Sequence, residues 1–115
     1  VVFTASISGY NNVAPANGIY GTSKSALSAY MKYAALELAG KGIRCNAVHP
    51  GRINTPLISN RMLTEEDVAK DVEQYPLKRY GEPSEVAHAI IYLLSDAASW
   101  VTGTNLVIDG GRSLK

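Results

Sequence analysis

The chain has 115 residues, of which 46% are hydrophobic and 18% charged, with a formal net charge of +1. This is the balance of a globular domain, or part of one, that builds a real core, and it excludes a disordered segment. The two charge signs are mixed, which leaves no nucleic-acid groove and no polybasic membrane anchor, and no apolar run approaches the roughly 20 residues of a spanning helix.

Residues 1 to 6, Val-Val-Phe-Thr-Ala-Ser, are apolar and rich in β-branched side chains, which predicts a buried strand. Val1-Val2-Phe3 reads as the middle of a core strand with no initiator methionine, so the sequence is expected to be a piece of something longer. Gly9 to Gly18 carries Asn11, Asn12, Pro15 and Asn17, which is loop chemistry. That loop would bring Ser6 and Ser8 round toward Tyr20.

From Ile19 to Gly40 the chain reads as helix. Ala26, Leu27, Tyr30, Met31, Ala34, Ala35 and Leu38 recur at helical spacing. The apolar face is wide, as expected of a helix buried on two sides, and Gly40 with Gly42 is the predicted stop. Near its start stand Tyr20 and Lys24, four apart and so on one face. An ammonium close to a phenol favours the phenolate, and the positive end of the helix dipole adds to this. Such a phenol can pass a proton to a carbonyl oxygen or take one from a hydroxyl at neutral pH. A serine aimed at the same oxygen would stabilise its developing charge. The bland alternative for the pair is an ordinary surface contact.

Ile43 to His49 predicts the next strand, ended by Pro50-Gly51; Cys45 within it reads as a buried, inert thiol. Strand, helix, strand implies a right-handed crossover and a parallel sheet. Residues 52 to 82 are polar, charged and broken by Pro56, Pro76 and Gly81. They read as a mobile flap or as a plain surface excursion. Within them Thr64-Glu65-Glu66-Asp67 resembles a capping box for a short helix reaching about Gln74. Pro83-Ser84-Glu85 opens a further helix with Ser84 as its expected N-cap, striped by Val86, Ile90, Leu93 and Leu94. Residues 104 to 108 predict the last strand, and Asp109-Gly110-Gly111 turns out of it.

In this order the residues resemble the C-terminal half of a short-chain dehydrogenase/reductase across essentially the whole chain. The serine strand ending Thr4-Ala5-Ser6 with Gly9 beyond, the Tyr20/Lys24 pair, and Asn46-Ala47-Val48-His49-Pro50-Gly51 with Ile53 and Thr55 each match a family motif. So do Gly81 to Ala87 and the segment from Thr102-Gly103 to Asp109-Gly110-Gly111. The resemblance implies an α/β fold: half of a doubly wound, Rossmann-like parallel sheet, with three strands and intervening helices. It also implies hydride transfer between NAD or NADP and a small-molecule alcohol or carbonyl.

Carried over by position, Tyr20 would be the general acid/base. Lys24 would lower its pKa and hold the nicotinamide ribose, and Ser6 would bind the substrate oxygen. Pro50, Gly51, Ile53 and Thr55 would contact the nicotinamide end, with the flap covering the substrate. The serine-to-tyrosine step is fourteen residues, one longer than the commonest family spacing, so Ser8 stays an alternative to Ser6. The glycine-rich turn for the pyrophosphate is not in this sequence, so residues 1–115 are expected to form a partial dinucleotide-binding domain. NAD and NADP are not distinguished.

His49 is expected to be structural and His88 solvent-facing. Trp100 is expected to pack on a neighbouring element. Tyr30, Tyr33 and Tyr92 read as core or interface, Tyr10 as pocket border or surface, and Asp109 as shaping the last turn. No grouping of residues has metal-ligand spacing. Enoyl reduction, which pairs its tyrosine with a lysine seven residues on, is disfavoured because position 27 is Leu27. A competing expectation is an inactive piece that only packs against partners. The family implies homo-oligomers through the long helix and through the last helix and strand. With no signal-peptide pattern, a cytoplasmic location is the default expectation.

Overall fold

The computed structural model describes residues 1–60 and 63–115. Three short strands, β1 (Val2–Thr4), β2 (Asn46–Pro50) and β3 (Asn105–Ile108), form a parallel sheet in the order β1-β2-β3. Phe3 lies opposite Ala47, and Val48 opposite Leu106. Helix α1 (Gly18–Ala39) crosses from β1 to β2. Helices α2 (Pro56–Ser59), α3 (Glu65–Val72) and α4 (Pro83–Leu94) fill the longer connection from β2 to β3. Both links join parallel strands through helices, as strand–helix–strand patterning requires.

β2 is the middle strand, and Asn46 to His49 are all buried. Its core contacts are Met31, Ala34 and Ala35 of α1 packed on Cys45 and Ala47, with Phe3 and Leu38 at the margin. The alanines let helix and sheet approach closely. Cys45 is buried, as expected. The approach to β3 is fastened by polar side chains. Arg44 donates to the carbonyls of Leu93, Ser95 and Val101 at 2.8–3.1 Å. Asn46 donates to Val101 O and accepts from Thr104 N–H.

Four expectations change. β1 is an edge strand and only half-buried, so Val1-Val2-Phe3 is not the middle of a core strand among the described residues. Trp100 is 98% exposed and packs on no neighbouring element among the described residues. Tyr30, Tyr33 and Tyr92 are exposed and therefore not core. The N-cap of α4 is Glu82, not Ser84: Pro83 takes the first helical position, and Glu82 N–H donates to Glu85 Oε2 at 2.7 Å. The Thr64–Asp67 capping box is present at the head of α3. Asp109 does shape the last turn, accepting from the N–H groups of Gly111 and Ser113.

Candidate active site

After β1, Ala5 N–H still donates to Val48 O at 2.9 Å, and the chain then leaves the sheet at Ser6. Residues Ile7–Gly9 make one tight turn that lies directly on the first turns of α1. Space, not backbone angle, makes glycine necessary here. A Cβ on Gly9 would sit 2.5 Å from Ser25 N, and one on Gly21 would sit 2.8 Å from Ser8 O. The contact is tied by Ser25 Oγ donating to Gly9 O at 2.8 Å. The Ser6/Gly9 spacing in the sequence therefore has a physical cause: the serine loop can reach Tyr20 only if its third residue has no side chain.

A cleft of about 440 Å³ opens above this contact. Ser6, Ser8 and Tyr20 line one side, and Gly51, Ile53 and Thr55 the other. Ser6 is buried (8% exposed) and its Oγ accepts from Ser8 N–H at 3.2 Å, while Tyr20 is half-exposed (48%). Lys24 is not in the lining. Its Nζ donates to Thr4 O at 3.2 Å and stands 5.7 Å from the Tyr20 ring centre, behind the phenol. Pro50 does not line the cleft either; it ends β2, paired with Ile108. Of the seven residues expected at the site, five line one cleft, Lys24 stands behind Tyr20, and Pro50 lies outside the lining.

The far wall is set by the base of the flap. Asn54 N–H donates to Gly81 O at 2.8 Å and Gly81 N–H to Arg52 O at 3.0 Å, so residues 54 to 80 form a loop closed at its neck. A Cβ on Gly81 would meet Ile53 Cδ1 at 2.7 Å. Arg52 pairs with Asp71 of α3 at 2.9 Å, and Tyr80 Oη donates to the same carboxylate at 2.7 Å. Burial, with Asp71 adding to it, pushes the Tyr80 phenol up and keeps it a donor. Burial also pushes up the Tyr75 phenol, whose oxygen accepts from Arg52 N–H at 3.2 Å.

Sequence reasoning missed these flap contacts. Asp71, Tyr75 and Arg52 all line the cleft, as do Asn12, Asn17 and Arg112. Arg52 lay inside a recognised motif, but nothing in the spacing linked it to Asp71. A smaller cavity of about 300 Å³ between Tyr75, Arg79 and Gly110 shares only Ile53 with the expected site.

His49 lies beneath the cleft, fully buried. Its Nδ1 is 3.0 Å from Ser6 O, and its Nε2 is 3.1 Å from Ser28 Oγ and 2.9 Å from the Asn105 side chain. Tyr10 does not line the cleft; its ring lies 4.7 Å from the His49 ring.

Among the described residues, no group of His, Cys, Asp and Glu could hold a metal ion, and no helix is long and apolar enough to cross a membrane. A family model described as "Enoyl-(Acyl carrier protein) reductase" matches residues 1–113. Cyclohexanol dehydrogenase of Acinetobacter sp. (strain SE19) is 45% identical over all 115 residues, which cover 43% of that protein. Levodione reductase of Leifsonia aquatica is 40% identical over 98% of this chain and 44% of its own length. The solved structure of 4-hydroxyisoleucine dehydrogenase complexed with NADH superposes with a TM-score of 0.93 at 34% identity, over 99% of this chain and 46% of that one. The chain thus spans less than half the length of the relatives it matches. Sheet order, motif order and these likenesses agree: the chain belongs to the short-chain dehydrogenase/reductase family.

Proposed function

We propose that this chain is the catalytic half of an NAD(P)-dependent oxidoreductase acting on a small secondary alcohol or ketone. The observation that carries the reading is the convergence of Ser6 and Tyr20 on one cleft, opposite Gly51, Ile53 and Thr55. Leu27 at the position an enoyl-reducing lysine would take favours carbonyl over enoyl chemistry, despite the wording attached to the family model.

The residues present fit a nicotinamide. Among the described residues the Ile53 amide N–H has no acceptor, and Thr55 makes no side-chain capping bond although it stands at the head of α2. One amide donor and one hydroxyl suit a carboxamide group. Lys24 spends one of its three donors on Thr4 O, which leaves two for a ribose. When bound, the nicotinamide supplies or accepts the hydride.

The chain's own part is proton transfer and charge stabilisation. In the reductive direction Tyr20 gives its phenolic proton to the substrate oxygen. The Lys24 charge behind the ring stabilises the phenolate left there. Ser6, or Ser8 beside it, donates to the same oxygen as charge develops. The flap, pinned by Arg52–Asp71, covers the substrate and excludes water. Residues 1–115 would form the partial dinucleotide-binding domain, with the pyrophosphate held by a glycine-rich half outside this sequence.

A second reading, that these 115 residues by themselves only pack or oligomerise, is favoured by the exposure of Ile19, Tyr33, Leu36, Ile91 and Trp100. Faces of this kind on α1 and α4 also suit the homodimer or homotetramer we propose for the working enzyme. Fluorescence titration with NADH and NADPH, on residues 1–115 and on a chain extended upstream, separates the readings. Binding by the extended chain alone is expected. Absence of binding by both would remove the oxidoreductase reading.

A further inference from the structure

We infer that His49 is a positioning residue that fixes Ser6 relative to Tyr20 and Lys24; the inference rests on the oxidoreductase reading of the same cleft. A carbonyl oxygen only accepts, so at 3.0 Å from Ser6 O the Nδ1 atom of His49 must carry the hydrogen and donate. In the neutral ring Nε2 is then the acceptor. Ser28 Oγ, at 3.1 Å, donates to it. Ser28 stands one helical turn beyond Lys24, and its other acceptor, Lys24 O, is at a weaker 3.5 Å. The Asn105 Oδ1 atom lies 2.9 Å from the same nitrogen; since an amide oxygen only accepts, a neutral ring that donates from Nδ1 requires the Asn105 amide turned over, with its NH2 toward Nε2.

One fully buried ring thereby joins three separate pieces of chain: the serine loop, the catalytic helix and β3. The Ser6 carbonyl also accepts from Gly9 N–H at 3.0 Å, so its peptide is gripped from two sides. No other side chain among the described residues bonds that carbonyl. Without the imidazole, Ser6 O would keep only the Gly9 N–H, Ser28 and Asn105 would each lose a partner, and the Ser6 peptide could rotate to find others. Displacement of about 1 Å is enough to cost on the order of 100-fold in rate.

The test is a double-mutant cycle in the upstream-extended chain, measuring kcat, KM and the NADH dissociation constant. His49→Leu is expected to lower kcat by roughly 10- to 100-fold with KM and NADH binding little changed. His49→Asn, which keeps a donor near Nδ1, should recover most of the loss. In a Ser6→Ala background, His49→Leu should cost nothing further, because the serine it positions is already gone. Ser28→Ala loosens the ring from the opposite side and should lower kcat several-fold, an effect also abolished by Ser6→Ala; it serves if His49→Leu does not fold.

Equal losses in both backgrounds would overturn the inference while leaving the oxidoreductase reading intact. Full activity of Ser6→Ala would overturn the inference together with Ser6's role in that reading.

Discussion

The sheet with α1 and the flap from 54 to 80 face each other across one cleft, yet different forces hold them. The platform is packed: Met31, Ala34 and Ala35 lie on Cys45 and Ala47, two glycines admit backbone contact between loop and helix, and the buried polar side chain of His49 is bonded at both nitrogens. The flap is mostly exposed and held by charge. Glu66–Lys70, Glu73–Lys78 and Arg79–Glu85 pair on its surface, and Arg52–Asp71 anchors it to the platform. Packed contacts resist salt and tolerate no displacement, whereas exposed ion pairs are individually worth about 0–1 kcal/mol and weaken with ionic strength. The groups proposed for chemistry thus sit where geometry is rigid, and the groups proposed to cover the substrate sit where opening is cheap.

Substitutions in the two regions should accordingly separate rate from binding. The largest effect is expected for Tyr20→Phe, which removes the proposed proton donor and should lower kcat by about 10²- to 10⁴-fold without changing the fold by circular dichroism. Next is Gly9→Ala. Its methyl would collide with the backbone at Ser25, so the loop must lift from α1, at a cost of about 1–3 kcal/mol in thermal or urea unfolding. Activity should fall with it because Ser6 moves.

Asp71→Asn strikes the flap instead. Loss of the Arg52 pair should cost about 1 kcal/mol, seen as a several-fold rise in KM with kcat nearly kept, and added salt should mimic it in the unsubstituted protein. An equal fall in kcat would mean that the flap helps to form the catalytic geometry.

The smallest effect is acid loosening of the flap. Arg79, with the Glu82 N–H, holds the Glu85 carboxyl down from 4.5 to about 2. Lys78 lowers Glu73, and Thr64 lowers Asp67. A carboxylate depressed in the folded state adds stability above its unfolded pKa and loses it as pH falls through the folded one. The flap should therefore loosen as pH falls from about 4.5 toward 2, while amide resonances of α1 and β2 move little. Simultaneous change in both regions would contradict the division.

The same division decides what the sequence revealed. Tyr20 and Lys24 were legible because helix spacing alone fixes them on one face, and Gly9 only as part of the family resemblance, three residues after Ser6; its contact with the Ser25 backbone was not legible. β1 reads as apolar as a core strand, yet within the three strands of residues 1–115 it is only half-buried, because burial depends on what pairs and packs with a strand and not on its own residues alone. Trp100 was misjudged because size predicts burial only where a neighbour exists. The ties of Arg52 to Asp71 and of Tyr75 to the Arg52 amide join residues about 20 apart through a polar segment without periodicity, so no local pattern announces them. His49 was expected to be structural, yet its links to Ser6, Ser28 and Asn105 appear only once three elements converge.

The most direct test is a single-turnover measurement of hydride transfer in the upstream-extended chain, with and without Tyr20→Phe, alongside the NADH dissociation constant of each. The expected result is unchanged cofactor binding with hydride transfer slowed at least 100-fold at neutral pH, because Tyr20 is the proposed proton donor to the substrate oxygen. Hydride transfer at an undiminished rate in Tyr20→Phe would contradict the assignment of this cleft and of the residues that frame it.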